Sequence, residues 1–415
     1  AGGRVDRGGR MTGTDDRSDG PVRVGVNLLW LVPGEVGGSE EYTVRLLGAL
    51  ADLDLDDLEV TLYVNGRFGT AHAGLAERFR TVVAPVAGTS RPRRVVAEST
   101  WLAARTWRDH AEVVHHAGGT MPGIRSAPGI VTLHDLQPIT HPERFGAVKR
   151  TYIRLAAPRS LRAAAAVVCL TEFTAGDAVS VAGVDPNRVH LVPCGVDDPG
   201  PGPDPLVQEA VLERHRVLGH PFVLYPAITY AHKNHETLIA AFAHLAAAHP
   251  DARLVLTGGE GSYEPVVRAS IQAYGLAGRV ERTGRIPEAD LDVLYRRATV
   301  MAFPSRYEGF GLPVLEAMVR GCPVVASDVG GLPSVAGDAA VLVDPLDAPA
   351  WADAIGDLLD QPERRTVLSR HGVERARHFR WPDAAAALAS VYRETARRPF
   401  RAPGDPAHPT SEETG

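Results

Sequence analysis

Cysteine is scarce. Cys169, Cys194 and Cys322 stand far apart in a chain of 415 residues, which excludes a disulfide framework and a cysteine-rich zinc site and makes a reducing, cytoplasmic setting the expected home. Excess charge of one sign is also missing: 44 basic residues face 50 acidic ones, for a net charge of −6. A dedicated nucleic-acid binder needs a basic face to offset phosphate charge, so nucleic acid is not expected as a partner. No run reaches the about 18 uninterrupted apolar residues of a transmembrane helix. The longest, over 24–32 and 163–170, have the length of buried strands. Residues 1–21 lack the apolar segment of a signal peptide and are expected to be a disordered tail, with Met11 a candidate start. Lysine is nearly absent, since all but two of the basic residues, Lys149 and Lys233, are arginine. A compact ammonium and a planar guanidinium differ in shape and hydration, so a lysine against this background is informative.

What is present is globular. With 44% hydrophobic and 23% charged residues, the chain has enough length and apolar content for two or three domains. Short apolar runs alternate with amphipathic stretches. Strands are expected over 23–29, 59–64, 81–86, 112–116, 129–134, 166–171 and 189–193, with helices at 40–51, 93–110 and 147–164. The run DDPGPGPDP over 197–205 supports neither helix nor central strand, so 201–220 reads as an interdomain connection. The alternation then resumes, with strands at 222–227, 253–257, 280–283, 300–304, 323–327 and 340–343 and helices at 235–248, 264–274, 288–298, 312–319 and 350–359. Such alternation argues for parallel sheets covered on both faces. The expected plan is α/β: Rossmann-like domains over 22–200 and 221–381, a last helix at 382–398 and a disordered tail over 399–415. Two doubly wound domains imply a cleft, with functional residues just beyond the carboxyl ends of strands.

Several segments fall there. Pro304-Ser-Arg-Tyr-Glu-Gly-Phe-Gly-Leu-Pro-Val-Leu-Glu316 reads as strand end, glycine turn and helix, with Pro313 in the first turn. A glycine turn feeding a helix presents free N–H groups and a partial positive charge to an anion. Glu308 lies in the turn and Glu316 about one turn into the helix. Carboxylates accept hydrogen bonds from sugar hydroxyls and repel phosphate, so two of them flanking a phosphate site point to sugar on one side and ribose on the other. The plain alternative is a surface turn with a capping glutamate. Tyr225-Pro-Ala-Ile-Thr-Tyr-Ala-His-Lys-Asn-His235 follows a strand and carries Lys233, either a diphosphate ligand or a solvated loop residue. Gly37-Gly38-Ser-Glu-Glu-Tyr42 opens a helix; its glycines permit close backbone approach and Ser39 can cap, as in an ordinary turn. Val131-Thr-Leu-His-Asp-Leu136 ends a buried strand on His134 and Asp135, either cleft groups or a satisfied structural pair. His115 and His116 end the preceding strand and are lesser candidates for an acceptor side.

The segment from Glu308 to Glu316 closely resembles the Glu-x7-Glu motif of the retaining glycosyltransferases of family 4, which have the GT-B fold. The likeness continues through Ala317-Met318, Gly321-Cys-Pro-Val-Val325, Asp328-Val-Gly-Gly-Leu-Pro333 and Gly337-Asp-Ala-Ala340. The resemblance implies that Glu308 contacts hydroxyls of the donor sugar. It gives Gly309, Phe310, Gly311 and Leu312 backbone contacts to sugar and phosphate, and Glu316 the ribose. The Lys233-Asn234 pair before Leu238-Ile-Ala-Ala-Phe242 is similar to the family's diphosphate-binding lysine segment. Where relatives often carry an arginine beside or upstream of that lysine, this chain has His232 and no arginine nearby in sequence. Gly37 and Gly38 resemble the glycine loop that faces donor phosphate and acceptor, and His134 matches a histidine near the donor sugar. Phe379-Arg-Trp381 is similar to the segment from which the last helix crosses back onto the first domain.

The resemblance implies transfer of a hexosyl group, of mannose or glucose type, with retention of configuration. The co-substrate is a nucleotide sugar, GDP- or UDP-hexose, with no other cofactor. The acceptor is a glycan, a lipid-linked glycan or a small molecule. Rivals are an epimerase or phosphorylase on the same two-domain plan, or a non-catalytic sugar-nucleotide-binding subunit. No obligatory metal is expected. Asp52, Asp54 and Asp56 mimic an Asp-x-Asp metal motif but sit in a polar turn. Asp290 and Asp292 fall on an expected surface helix and, two apart, share no face. No His-Glu-x-x-His or P-loop pattern occurs. The stretch 91–110 carries Arg91, Arg93, Arg94, Arg105 and Arg108 with Trp101 and Trp107, and 149–162 is also basic. Each is either a face for peripheral contact with an anionic membrane or an ordinary solvated helix face.

Overall fold

The apolar strands assemble into two parallel sheets, one from each half of the chain. The structure is a computed structural model that describes residues 20–34, 37–144 and 146–398, without the side chains at 144 and 147–149. The expected tails, apart from residues 20 and 21, lie outside it. The first sheet has seven strands: β1 Val22–Leu28, β2 Leu58–Val64, β3 Arg80–Val83, β4 Val113–His116, β5 Gly129–Leu133, β6 Ala166–Cys169 and β7 Val189–Leu191. Their order is β3-β2-β1-β4-β5-β6-β7. The second has six: β8 Phe222–Pro226, β9 Arg253–Thr257, β10 Val280–Gly284, β11 Val300–Phe303, β12 Val324–Ser327 and β13 Val341–Val343, in the order β10-β9-β8-β11-β12-β13. Every expected strand is present. β5 and β11 are buried at every position, because helices cover both faces of a parallel sheet and leave no solvent side.

Each sheet reverses its winding once, between β1 and β4 and between β8 and β11. Ligands bind at such switch points in doubly wound sheets. The segment holding Lys233 follows β8 and that holding Glu308 follows β11, so the two flank the switch point of the second sheet.

Three segments differ from expectation. The supposed connection over 201–220 contains the helix Pro205–Arg214, capped by the Asp204 carboxylate, which accepts from the Leu206 N–H at 2.8 Å. This helix seats on Glu288–Arg297 through Asp290, whose Oδ2 accepts from Arg214 at 2.7 Å and His215 at 2.9 Å. Asp290 is thus buried rather than on the surface. Burial alone would raise its pKa, but the bonds from Arg214 and His215 outweigh that and hold it below the carboxylate range. The stretch expected as one helix over 93–110 is broken by a π-helical turn, Glu98–Leu102, between Arg91–Ala97 and Ala103–Arg108. That turn carries Glu98 inward to Asn27 at 3.5 Å. Of the two tryptophans in the stretch 91–110, Trp101 packs edge-on against Tyr63, while Trp107 is 73% exposed. No helix among the described residues is long and apolar enough to cross a membrane.

The last helix, Trp381–Ala396, returns to the first domain. The Val196 N–H donates to the Phe379 carbonyl at 2.9 Å where the chain crosses between domains. Beyond the crossing, Tyr392 lies 2.8 Å from His115 Nδ1, whose Nε2 is 2.7 Å from Thr132 Oγ1. His115 is therefore a buried structural joint rather than an acceptor-side group, and His116 likewise turns to Asn27 at 3.2 Å. Burial pushes both rings down to about 3. Tyr392→Phe would leave a buried ring nitrogen unpartnered, and we expect it to lower stability by about 1–3 kcal/mol, read from the urea unfolding midpoint.

Candidate active site

Lys233 is held from both sides of its own backbone. Its N–H donates to the Tyr230 carbonyl at 2.9 Å and its carbonyl accepts from the Tyr225 hydroxyl at 2.5 Å. Next to it, Asn234 adopts a left-handed φ of 61°. Asn234 uses its whole side-chain amide: Nδ2 donates to the Pro304 carbonyl at 2.9 Å and the Pro345 carbonyl at 2.6 Å, and Oδ1 accepts from Thr237 and Arg306, both at 2.9 Å. It thereby joins the loops beyond β8, β11 and β13. The result brings Lys233 Nζ within 2.5 Å of Glu308 Oε1 and 5.5 Å of the Phe303 ring centre. An arginine does lie beside this loop in space: the Arg306 N–H donates to the His232 carbonyl at 2.8 Å. Its distance along the chain hides it from the sequence.

The turn bearing Glu308 lies directly on a second turn. The Glu308 carbonyl accepts from the Gly331 N–H at 2.9 Å. A Cβ on Gly331 would fall 2.3 Å from the Gly309 carbonyl oxygen, and one on Gly309 would fall 2.3 Å from the His134 carbonyl oxygen. Side chains are excluded at both places because backbone packs on backbone. Gly311, at φ +98°, then starts the helix Leu312–Val319 with Pro313 in its first turn. Among the described residues, no protein group accepts from the N–H groups of Gly309, Phe310 or Gly311. Together with the helix's positive end, such free N–H groups are donors suited to an anion.

Glu316 is brought near but not into the same space. Its Oε2 accepts from the Tyr295 hydroxyl at 2.9 Å. Burial raises the Glu316 pKa above the usual carboxylate value, and the Tyr295 bond offsets this in part. It lines a cavity of about 220 Å³ between the domains with Leu312, Glu288, Asp292, Arg45 and Arg320, which Lys233 and Glu308 do not line. Arg45, from the helix Gly38–Asp52, pairs there with Asp197 and lies 3.7 Å from Glu288.

The first domain supplies the facing wall. His134 Nε2 bonds the Ala117 carbonyl at 2.9 Å, and its ring meets Tyr42 edge-on at 5.5 Å. Burial lowers its pKa to about 4, so near neutral pH it is an uncharged ring whose Nε2 carries the proton. Asp135 accepts from the Gln137 N–H at 3.0 Å. Gly37 caps the helix that begins at Gly38, and its carbonyl accepts from the Glu40 N–H at 2.9 Å. Ser39 sits inside that first turn rather than capping it. Two contacts that the motifs do not show cross the seam. The Tyr307 hydroxyl stands 3.4 Å from both the Leu136 N–H and Asp177 Oδ2, and Thr171 Oγ1 donates to the Gly309 carbonyl at 2.9 Å. Thr171-Glu-Phe-Thr174 carries a capping signature that announces a helix, but nothing local announces the partner 138 residues away. No group of three or more His, Cys, Asp or Glu side chains among the described residues is placed to hold a metal ion.

Two Rossmann-like domains meeting at a seam between their switch points are the GT-B arrangement of glycosyltransferases. The chain belongs to that class by family as well: the model for glycosyl transferases group 1 matches residues 211–375, and that for glycosyltransferase family 4 matches 36–198. It is 34% identical to a D-inositol 3-phosphate glycosyltransferase of Xylanimonas cellulosilytica, over 73% of this chain and 71% of that protein. It is 31% identical to an alpha-D-kanosaminyltransferase of Streptomyces kanamyceticus, over 66% of this chain and 72% of that one. An O-antigen chain mannosyltransferase B of Escherichia coli is 26% identical, over 69% and 75%. Solved structures share the fold. Sucrose-phosphate synthase from Thermosynechococcus elongatus superposes with a TM-score of 0.71 at 24% identity, covering 90% of this chain and 98% of that one. For Anabaena HepE with UDP-glucose the values are 0.72 and 19%, covering 90% and 99%.

His134, His115, His116 and His235 are all held below the ordinary histidine value of 6.5 by burial. Below pH 6.5 the unfolded chain takes up protons that the folded chain refuses, so folding stability falls as pH drops from 6.5 toward 4. We expect a slope of up to about 1.4 kcal/mol per pH unit for each such ring, read from urea midpoints at stepped pH. A flat stability profile from pH 6.5 to 5 would contradict the buried, neutral assignment.

Proposed function

We propose that this glycosyltransferase moves a hexosyl unit, of mannose or glucose type, from a GDP- or UDP-linked donor to an acceptor hydroxyl, with retention at the anomeric carbon. The observation that carries the reading is Lys233 set against Glu308 beside the unpartnered N–H groups at the tip of the helix Leu312–Val319. The names of relatives, a mannosyltransferase and a kanosaminyltransferase among them, support a hexose donor.

In this reading the donor separates the ion pair. Its diphosphate takes the Lys233 ammonium and the N–H groups from Gly309 to Leu312, and hydroxyls of its sugar donate to the Glu308 carboxylate. Glu316 takes the ribose from its own cavity. The barrier is charge separation at the anomeric bond. Fixed positive groups at the departing diphosphate lower it by preorganised electrostatics, and no metal is needed to meet that charge. The acceptor oxygen attacks the anomeric carbon from the face the diphosphate leaves. The carbon–oxygen bond to phosphate breaks, its electron pair stays on the phosphate oxygen, and that oxygen takes the acceptor's proton. Neutral His134 donates to Ala117, so it shapes the sugar wall without adding a cation. Glu308 orients the sugar rather than attacking it, the role implied by its likeness to the first glutamate of the family's Glu-x7-Glu motif. The acceptor is a glycan, a lipid-linked glycan or a small molecule. Peripheral contact with an anionic membrane falls at the exposed Trp107 and its neighbouring arginines.

The test is a transfer assay with GDP-, UDP- and ADP-hexoses, preceded by a thermal-shift screen. A nucleoside diphosphate at 100 times its Kd should add about 2.7 kcal/mol of stability. Lys233→Ala and Glu308→Gln should each lower kcat/KM by roughly 100-fold or more. Full activity in both variants would overturn the site assignment, and conversion of donor with no acceptor present would point to an epimerase.

A further inference from the structure

The turn that carries the proposed donor contacts is held by two carbonyl anchors, one from each domain. In a trans peptide the C=O and the following N–H point to opposite sides, and no cis bond occurs among the described residues. The Glu308 carbonyl is taken by the Gly331 N–H of the same domain at 2.9 Å, which fixes the direction of the Gly309 N–H. The Gly309 carbonyl is taken by the Thr171 hydroxyl of the opposite domain at 2.9 Å, which fixes the Phe310 N–H. Thr171 is buried at the end of β6. Its Oγ1 also accepts from the Thr174 N–H at 3.2 Å, as cap of the helix Glu172–Ser180. The cap uses a lone pair of the oxygen and the seam bond uses its proton, so one hydroxyl serves both. Glycine at 309 leaves no Cβ to hold its peptide in place, and the α-carbon lies against the His134 carbonyl with no room for one. Of the two anchors, only the bond from Thr171 depends on the domains being together.

We propose that Thr171 is a positioning residue that couples domain closure to the donor site: its hydroxyl turns the Gly309–Phe310 peptide so that the Phe310 N–H faces the donor when the first domain comes down on the second. The inference rests on the reading that the N–H groups of 309–312 hold the donor. Binding of nucleotide to the second domain alone would then leave the cradle incomplete, and closure would finish it, so that diphosphate departure is favoured where water is excluded.

The test compares Thr171→Val, Thr171→Ser and Thr174→Val with the parent by amide hydrogen exchange over 306–314, with and without saturating GDP or UDP, and by transfer kinetics. Thr171→Val removes the hydroxyl. Thr171→Ser keeps it, and Thr174→Val disturbs the capping box while leaving the seam bond. Nucleotide should slow exchange at 309–312 by about tenfold or more in the parent, in Thr171→Ser and in Thr174→Val, but by no more than about threefold in Thr171→Val. For Thr171→Val, kcat should fall by roughly 10- to 100-fold with the donor KM within about threefold, the pattern of a contact completed after binding. If Thr171→Val does not fold, Thr171→Ala removes the same hydroxyl without bulk and decides on the same readouts. Equal protection in the parent and Thr171→Val, or equal losses for Thr171→Val and Thr174→Val, overturns the proposal and leaves the functional reading standing. Absence of protection in the parent by either nucleotide overturns that reading, and the proposal with it.

Discussion

Glu308 meets Lys233 because one turn of backbone rests on another with nothing between them. The Gly330–Gly331 turn bears on Glu308 and Gly309 at distances no side chain would allow, and the Gly331 N–H locks the contact. The stack sets the height at which the glutamate leaves the backbone. Among the described residues, the next N–H groups are left without a protein acceptor. A bulkier residue at either glycine would lift the turn, and the carboxylate, the N–H groups and the helix start would move with it.

The charges around this stack are matched by partners within the protein. Lys233 pairs with Glu308, Arg45 with Asp197 near Glu288, and Glu316 with the Tyr295 hydroxyl. Partly buried charges carry a desolvation penalty that pairing offsets, so each pairing lowers the cost of holding charge at the seam. A diphosphate and a polyhydroxylated sugar offer the same two kinds of partner, one anionic and one hydrogen-bond donating. On the proposed function, donor entry would therefore exchange partners instead of exposing bare charge. On the same proposal, a cation in place of the neutral His134 would compete with Lys233 for the diphosphate.

The two domains are joined where the chain crosses twice. The first crossing passes Gly195, where a Cβ would strike the Trp381 backbone, and the second begins at Phe379, bonded to Val196. The last helix then anchors on the first sheet through Tyr392 and His115. Both crossings therefore lie together in one stitched region, and the Thr171–Gly309 contact lies on the seam between the domains. The helix Pro205–Arg214, masked in sequence by the Pro/Gly/Asp run before it, belongs with the second domain through the buried Asp290.

The strands, their parallel arrangement, the two-domain plan and the turn-then-helix around Glu308 were determined by sequence alone, because they follow from local rules. Strands buried on both faces read as mostly apolar runs, and a helix tip after a glycine turn has a fixed local pattern. The family likeness was legible for the same reason, since it resides in one continuous block. Tertiary structure alone decided what those residues touch. Neither Asn234 joining three loops, nor Arg306 beside His232, nor Glu316 in a cavity apart from Lys233, nor Thr171 reaching Gly309 follows from spacing. Their partners come from strands far apart in the chain, and only the folding of two sheets and the approach of two domains brings those strand ends within hydrogen-bonding distance.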